Sequence, residues 1–195
     1  MPKSLCTNLF SSTPRENGGT CTLTTYFAGM LSNAEELYGR RNIDWTPVGV
    51  EFFECKNPHL WFPGNQDKVC IRLTMSALQD LPEALWQLSQ EIVHILGPVR
   101  QATNLEEGVA THFALNSMHH TDKIRLQTWR AQMQAPESPY NVPLEDYESL
   151  LRLKPDIIKR LRTRESYLSR ITADMLLKEF PECDKNLAAR LTSFF

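Results

Sequence analysis

Apolar residues recur with two different periods along this chain, and the change from one period to the other organises the fold. Residues 48–54 and 68–74 are short runs rich in β-branched and aromatic side chains, which is typical of strands. Residues 81–96 and 104–118 repeat apolar positions every three to four residues, which predicts two helices. From residue 144 onward the pattern is wholly helical. The sequence therefore predicts an α+β fold, with a small sheet followed by helices.

A further helical pattern precedes the strands. Residues 23–38 repeat apolar positions at helical spacing, and Gly39 stands where a helix ends. Residues 32–35 read Ser-Asn-Ala-Glu, the pattern of a capping box. The helix therefore begins at that box, or it begins near Thr24 with an interruption at Gly29.

Turn-forming residues indicate the domain organisation. Residues 1–22 are rich in Ser, Thr, Asn and Gly and predict a flexible N-terminal arm. Residues 135–143 are rich in proline and form the best linker candidate. We therefore expect one domain at 23–134 and a helical C-terminal subdomain at 144–195. Its helices are predicted at 144–152, 155–169, 172–180 and 184–193, with Thr172 and Asp184 as N-caps.

The connection between the two predicted strands is long and unusually aromatic. Residues 57–65 contain Pro58, Pro63 and Gly64, which indicate turns, together with Trp61 and Phe62. Two interpretations are open. The segment rims a cleft, or it is a long hairpin loop whose aromatic side chains pack onto the core.

The overall composition excludes several classes of function. The chain has 195 residues and a formal net charge of −2, so no global field attracts nucleic acid or a membrane surface. No apolar run reaches the roughly 18 residues of a membrane span, and the first residues lack the apolar segment of a signal peptide. The five cysteines are odd in number and form no Cys-x-x-Cys pair, which indicates reduced thiols. We expect a cytoplasmic protein without membrane association, and we do not expect nucleic acid as a partner.

The polar stripe of the helix predicted at 81–96 carries the candidate chemistry. Gln90 and His94 are one helical turn apart, so their side chains project from one face, roughly 5–6 Å apart at Cβ. That spacing allows two side chains to bind the same ion. Glu91 is rotated by about 100°, which suits a carboxylate that takes a proton from a water without binding the metal. Further along, Glu107 opens the next apolar helix.

Two short sequences carry a family resemblance. Residues 90–94 read Gln-Glu-Ile-Val-His, one residue away from His-Glu-x-x-His, and residues 107–110 read Glu-Gly-Val-Ala. Over about residues 45–118 the chain thereby resembles the gluzincin-type zinc metallopeptidases. The resemblance implies a zincin-like domain, in which a small sheet precedes an active-site helix, and it implies zinc as the cofactor.

The same resemblance implies roles for four residues. His94 and Glu107 are then zinc ligands, and Glu91 is the general base. Gln90 stands where the family has its first His ligand, and a neutral carboxamide binds zinc more weakly than an imidazole does. Three alternatives remain open: an inactive peptidase, a different or weaker metal held by Gln90, His94 and Glu107, or a chain in which position 90 has been changed from His.

None of the other histidines is a good replacement for the missing ligand. His112 points about 140° away from Glu107 on the same helix, whereas Thr111 shares the face of Glu107 and is placed to hydrogen-bond a ligand. His59 lies in the strand connection without geometric constraint. The pair His119–His120 ends the second helix, where it either reaches substrate or faces solvent.

Two features also have purely structural explanations. Glu107 fits the third position of a capping box with Asn104, and Glu106 fits the same position with Thr103. The basic stretch at residues 152–170 either contacts nucleic acid or an acidic partner, or forms a solvated helix face.

Three functions are therefore expected from the sequence. The first is a metallopeptidase-like protein with a degenerate zinc site, ancestrally a peptide-bond hydrolase that uses metal-activated water. The second is a catalytically inactive pseudopeptidase that binds a peptide or protein partner. The third is a regulatory interaction protein that acts through its C-terminal helices. Gln90 leaves the question of enzymatic activity open.

Overall fold

The computed structural model describes residues 13–14, 20–21, 23–64, 67–117 and 123–195 of the chain. The predicted N-terminal arm and the pair His119–His120 lie largely or wholly outside these residues. Within the arm, two short strands form an antiparallel pair, β1 (Thr13–Pro14) and β2 (Thr20–Cys21).

The first helix, α1 (Leu23–Tyr38), runs without interruption. It passes through Gly29 and Ser32, so the predictions of a capping box at 32–35 and of an interruption at Gly29 were wrong. Burial of Leu23, Ala34 and Tyr38 on one face stabilises the helix beyond the roughly 1 kcal/mol that an interior glycine costs. Gly39 ends the helix as predicted, with φ of 91° and its N–H donating to the Glu35 carbonyl.

The sheet has three strands in the order β3-β5-β4. β3 (Thr46–Phe53) and β5 (Lys68–Thr74) match the two predicted strands and run parallel to each other. The connection between them contains a third strand, β4 (His59–Trp61), which pairs antiparallel with the other side of β5. The hairpin-loop interpretation was therefore wrong, because two parallel strands cannot be joined by a hairpin. β4 forms one edge of the sheet.

Two helices follow the sheet and carry the candidate site, α2 (Leu81–Ile95) and α3 (Asn104–Ser117). Both agree with the prediction to within one residue at each end. The Asp80 side chain accepts a hydrogen bond from the Glu83 N–H and begins α2. A further helix, α4 (Lys123–Met133), was not predicted.

The C-terminal part consists of α5 (Asn141–Leu153), α6 (Ile157–Arg162), α7 (Ala173–Glu179) and α8 (Lys185–Thr192). The predicted N-caps Thr172 and Asp184 are confirmed, since each side chain accepts a backbone N–H of the following helix. The long helix predicted at 155–169 was wrong. The chain turns after Arg162, which brings Leu168 and Ile171 into the core.

One continuous hydrophobic core joins the sheet, α2, α3 and the C-terminal helices. The closest approach is between α3 and α5, where a Cβ atom on Gly108 would collide with the carbonyl oxygen of Pro143. The α+β class is confirmed, while the division into 23–134 and 144–195 stays a prediction. Among the described residues, no helix combines the length and apolar character needed to cross a membrane.

Candidate functional site

The polar stripe of α2 faces a cavity of about 410 Å³ that we call the polar lobe. From α2 it is lined by Gln90, Glu91 and His94, and from α3 by Glu107. The four residues singled out in the sequence therefore meet in one cavity. They meet because the apolar faces of α2 and α3 pack on each other in the core and turn these side chains to the same opening.

His94 is held in one orientation by a buried carboxylate. Its Nδ1–H donates to Oε1 of Glu106 over 2.7 Å, and Glu106 is only 1% exposed. Its other ring nitrogen, Nε2, lies 3.7 Å from Oε1 of Glu107. The imidazole therefore presents Nε2 to the residues of the cavity, which is the arrangement that metal-binding histidines use.

Glu106 was missed as a site residue, because its structural explanation was a capping box. That box is not formed: the Thr103 hydroxyl makes no hydrogen bond. The proposed box between Asn104 and Glu107 is not seen either, and the Asn104 amide donates instead to the Arg190 carbonyl and the Ser193 hydroxyl. The only sequence signal for Glu106 was a second carboxylate beside Glu107 at the start of an apolar helix.

The carboxylates of the site change the proton affinity of its members. Burial raises the pKa of Glu91 to about 7, with the charge of His94 opposing this shift. Burial disfavours a charge on His94, but Glu107, Glu106 and Glu91 together outweigh it and raise its pKa to about 10. Burial also raises the pKa of Glu107. Glu91 therefore exchanges a proton near neutral pH, the range that suits a general base.

The two glutamines of the α2 stripe have different roles. Gln87 is structural: its amide donates to the Thr74 hydroxyl over 2.8 Å, and its oxygen accepts the Thr74 N–H over 2.9 Å. Gln90 makes no side-chain hydrogen bond to any residue within the described ranges. In particular, it does not bond to Glu107. The Gln90 amide therefore keeps its hydrogen-bonding and ligand capacity for whatever enters the cavity.

The donor set fits a divalent ion in part. Two ligands of one tetrahedral zinc ion at about 2.0–2.2 Å lie roughly 3.3 Å apart, close to the 3.7 Å between His94 Nε2 and Glu107 Oε1. The third donor of the cavity is the Gln90 amide oxygen. In the part of the chain that the structure describes, no three His, Cys, Asp or Glu side chains are grouped so as to hold a metal. The residues therefore fit a weak site with two strong donors.

The remaining histidine predictions have mixed outcomes. His112 does turn away from the site and packs edge-on against Tyr147, with ring centroids 5.3 Å apart. The Thr111 hydroxyl is buried but makes no hydrogen bond, so its predicted contact to a ligand residue is not seen. His59 lies on β4 and lines a neighbouring cavity together with His94. The strand connection therefore rims the cleft, as one of its two interpretations predicted.

Tyr140 is a second residue that the sequence did not single out. It lies just before α5, in the segment read as a linker, and lines the polar lobe. Burial, with added repulsion from Glu107 and Glu91, raises the pKa of its phenol. The hydroxyl therefore stays protonated and is a hydrogen-bond donor. Only the packing of α5 against α3 brings it to the site.

Several basic side chains of the stretch at residues 152–170 form hydrogen bonds or ion pairs within the chain. Arg162 is 7% exposed and donates to backbone carbonyls. Arg160 and Arg164 both pair with the carboxylate of Glu179. This leaves fewer free charges for an acidic partner than the sequence indicated, and binding through the C-terminal helices stays a prediction.

Comparisons with protein-family models, with curated proteins and with solved structures each found no significant match to this chain. The class of protein is therefore inferred from the geometry of the site and from the two short sequences that carry the resemblance.

Proposed function

We propose that this chain is a metallopeptidase-like protein with a zincin-like domain and a degenerate zinc site, descended from peptide-bond hydrolases. The observation that carries the proposal is the meeting of Glu91, His94 and Glu107 in one cavity. The three come from two helices and face the same opening, as the family pattern requires. Chance resemblance of a short sequence does not supply a matching residue from a second helix.

Each residue has a defined task in this proposal. His94, through Nε2, and Glu107 would hold a divalent ion together with the amide oxygen of Gln90. Zinc bound there would polarise a substrate carbonyl and make a water more acidic. Glu91 lines the same cavity and is the general base, which holds the proton that the leaving amine needs. The phenol of Tyr140 donates a hydrogen bond to the carbonyl oxygen of the substrate.

Glu106 is a positioning residue. Its hydrogen bond to Nδ1 orients the His94 ring so that Nε2 faces the cavity, where an ion would take the place of the Nε2 proton. Because Glu106 is buried, it keeps this contact without competition from water. The pair repeats the carboxylate–histidine arrangement of many zinc sites.

The contacts of His94 with Glu106 and Glu107 also favour a second candidate function, which needs no metal. The ring of His94 already lies between two carboxylates, at 2.7 Å from Glu106 and 3.7 Å from Glu107. When the ring is protonated, its positive charge is balanced by the two carboxylates. No metal ion is then needed to neutralise the carboxylates in the folded protein. With Gln90 in place of His, the chain would then be a pseudopeptidase that binds a peptide in the cleft without cleaving it.

Zinc titration of the chelator-treated protein separates the two functions. Binding is measured by competition with a zinc-sensitive dye, and hydrolysis with a fluorescence-quenched peptide library. The degenerate enzyme is expected to bind zinc weakly and to cleave, and Glu91→Gln is expected to abolish cleavage but not binding. The exposed Glu145→Gln on α5 is the matched control.

The variant Gln90→His tests the ancestry directly. Restoring an imidazole is expected to tighten zinc binding by at least about 10–100-fold, the range seen when even an outer-shell partner is altered. A parent without zinc binding or cleavage, beside a Gln90→His variant that has both, would establish the pseudopeptidase. Failure of Gln90→His to bind zinc at all would contradict the proposed site.

A further inference from the structure

The polar lobe is one of three cavities that are linked by shared lining residues. The second, which we call the central lobe, has a volume of about 390 Å³ and shares Glu91, His94 and Glu107 with the first. The third, the aromatic lobe, has a volume of about 400 Å³ and shares Phe62 and Arg100 with the second. We call the three cavities together the cleft, and the candidate site lies where the polar and central lobes meet.

Arg100 stands where the central and aromatic lobes meet. It belongs to the short connection between α2 and α3, which is fixed in place at Gly97, where an added Cβ would lie 2.9 Å from the carbonyl oxygen of Ser166. Its guanidinium lies 5.6 Å from the ring centroid of Phe62. Phe62 in turn packs edge-on against Trp45 at 5.2 Å. The Arg100 guanidinium therefore lies over the Phe62 ring, and Trp45 holds that ring in place.

Arg100 has no carboxylate partner within the described ranges. Its one recorded contact is the Phe62 ring, and its residue is exposed. Asp67 lines the aromatic lobe as well, but the two side chains form no ion pair. By contrast, Arg72 on β5 is paired with Glu51 at 2.6 Å. An exposed guanidinium that lies over an aromatic ring, has no carboxylate partner among the described residues and lines two cavities beside the candidate site is suited to bind a carboxylate bidentately.

We propose that Arg100 determines the substrate class of the cleft, by binding a carboxylate of a peptide on the side of the site formed by the central and aromatic lobes. This rests on the proposed function, since it takes the cleft to be a peptide-binding site. The carboxylate has two sources, the side chain of Asp or Glu and the free C-terminus of the peptide. A neighbouring apolar side chain of the same peptide enters the aromatic lobe against Trp45 and Phe62.

The test is the retention of randomised hexapeptides by the immobilised full chain, with and without zinc, and with retained peptides sequenced by mass spectrometry. One library is amidated and the other has free C-termini. We expect acidic residues to be enriched on the order of tenfold, the effect of one charge-assisted bidentate pair. Enrichment in the amidated library assigns the side chain as the source. Enrichment only with free C-termini assigns the terminal carboxylate.

Four variants locate the effect, three of which remove one positive charge. Arg100→Gln is expected to abolish the enrichment, and Arg100→Lys to keep part of it, because an ammonium lacks the planar fork. Arg152→Gln removes an exposed arginine that lines none of the three lobes, and it should leave the enrichment unchanged. Lys56→Gln removes the cation of the polar lobe, and loss of the enrichment in this variant instead of Arg100→Gln overturns the proposal.

The outcomes also separate this inference from the proposed function. Peptides retained without acidic enrichment overturn the role of Arg100 and leave the peptide-binding cleft standing. Retention of no peptide from either library overturns both. Zinc-independent retention with acidic enrichment supports the role of Arg100 and shows that peptide binding does not need the metal. Because Arg100 is exposed, we expect its variants to melt at the same temperature as the parent. Equal melting temperatures then exclude unfolding as the cause of a lost enrichment.

Discussion

Replacing Arg162 by methionine should destabilise the protein strongly, although nothing in the candidate site is touched. Its guanidinium connects the ends of three segments, and it is 7% exposed. It donates to the backbone carbonyls of Tyr38, Gly39, Arg40, Leu96 and Ser166. Two of these, Tyr38 and Leu96, belong to the C-terminal ends of α1 and α2, whose carbonyl groups have no partner within the helix. Burial lowers the pKa of Arg162 to about 10, so it remains charged at neutral pH.

The magnitude is set by the carbonyls that water cannot reach after the substitution. The bonds to Tyr38 and Leu96 are buried, at 3.0 and 2.9 Å, and the others are partly buried. A hydrogen bond to a charged group that leaves a buried partner unsatisfied is worth at least about 1.5 kcal/mol. The two buried bonds alone therefore give a loss of about 3 kcal/mol. For a chain of this size that lowers Tm by roughly 6–12 °C.

Urea unfolding followed by tryptophan fluorescence measures this loss. Methionine keeps most of the aliphatic volume, so a cavity contributes little. The control Arg152→Met removes an exposed arginine that, among the described residues, hydrogen-bonds the Ser149 hydroxyl alone, and it should change stability by less than about 0.5 kcal/mol. Arg162→Lys should resemble Arg162→Met, because one ammonium cannot reach both helix ends. The extrapolated free energy of unfolding carries an uncertainty of about 1 kcal/mol. If the free energies of unfolding of Arg162→Met and of the parent agree within that margin, the buried-carbonyl argument is refuted.

Three further predictions concern helix packing, the pH dependence of stability and the affinity of the candidate site for zinc. Gly108→Ala should destabilise the protein by about 1–3 kcal/mol, because the added methyl group collides with the Pro143 carbonyl. Gly29→Ala, whose added methyl group meets nothing within 4 Å, should stabilise it by about 0.5–1 kcal/mol. If urea unfolding shows that both variants change the free energy of unfolding in the same direction, the packing argument is contradicted. Burial lowers the pKa of His112, with Glu148 opposing, so the unfolded chain binds the proton more readily. Stability should therefore fall as pH drops below 6.5, by at most about 1.4 kcal/mol per pH unit, and His112→Gln should remove that component from the parent-minus-variant difference. Glu106→Gln should weaken zinc binding by about 10–100-fold in the dye competition; unchanged affinity would show that the carboxylate does not position the imidazole.

Local order was largely present in the sequence. The strand at 68–74 and the helices at 81–95 and 104–117 appeared at nearly their observed limits. The stop at Gly39 and the N-caps at Thr172 and Asp184 were also correct. These features depend on hydrogen bonds and apolar periods that span only a few residues, and such interactions are visible in a short window of sequence. The same holds for the shared face of Gln90 and His94.

The tertiary structure alone decided which distant residues meet. The strand β4 was not predicted, because it has only three residues in a turn-rich segment and is formed by pairing with the edge of β5. Glu106 looked like a cap, and only the packing of α2 on α3 turned it to His94. Arg162 looked like part of a solvated basic face, yet the ends of α1 and α2 enclose it. In each case the partner is far away in sequence, and the free energy of burying apolar faces brings the polar groups together.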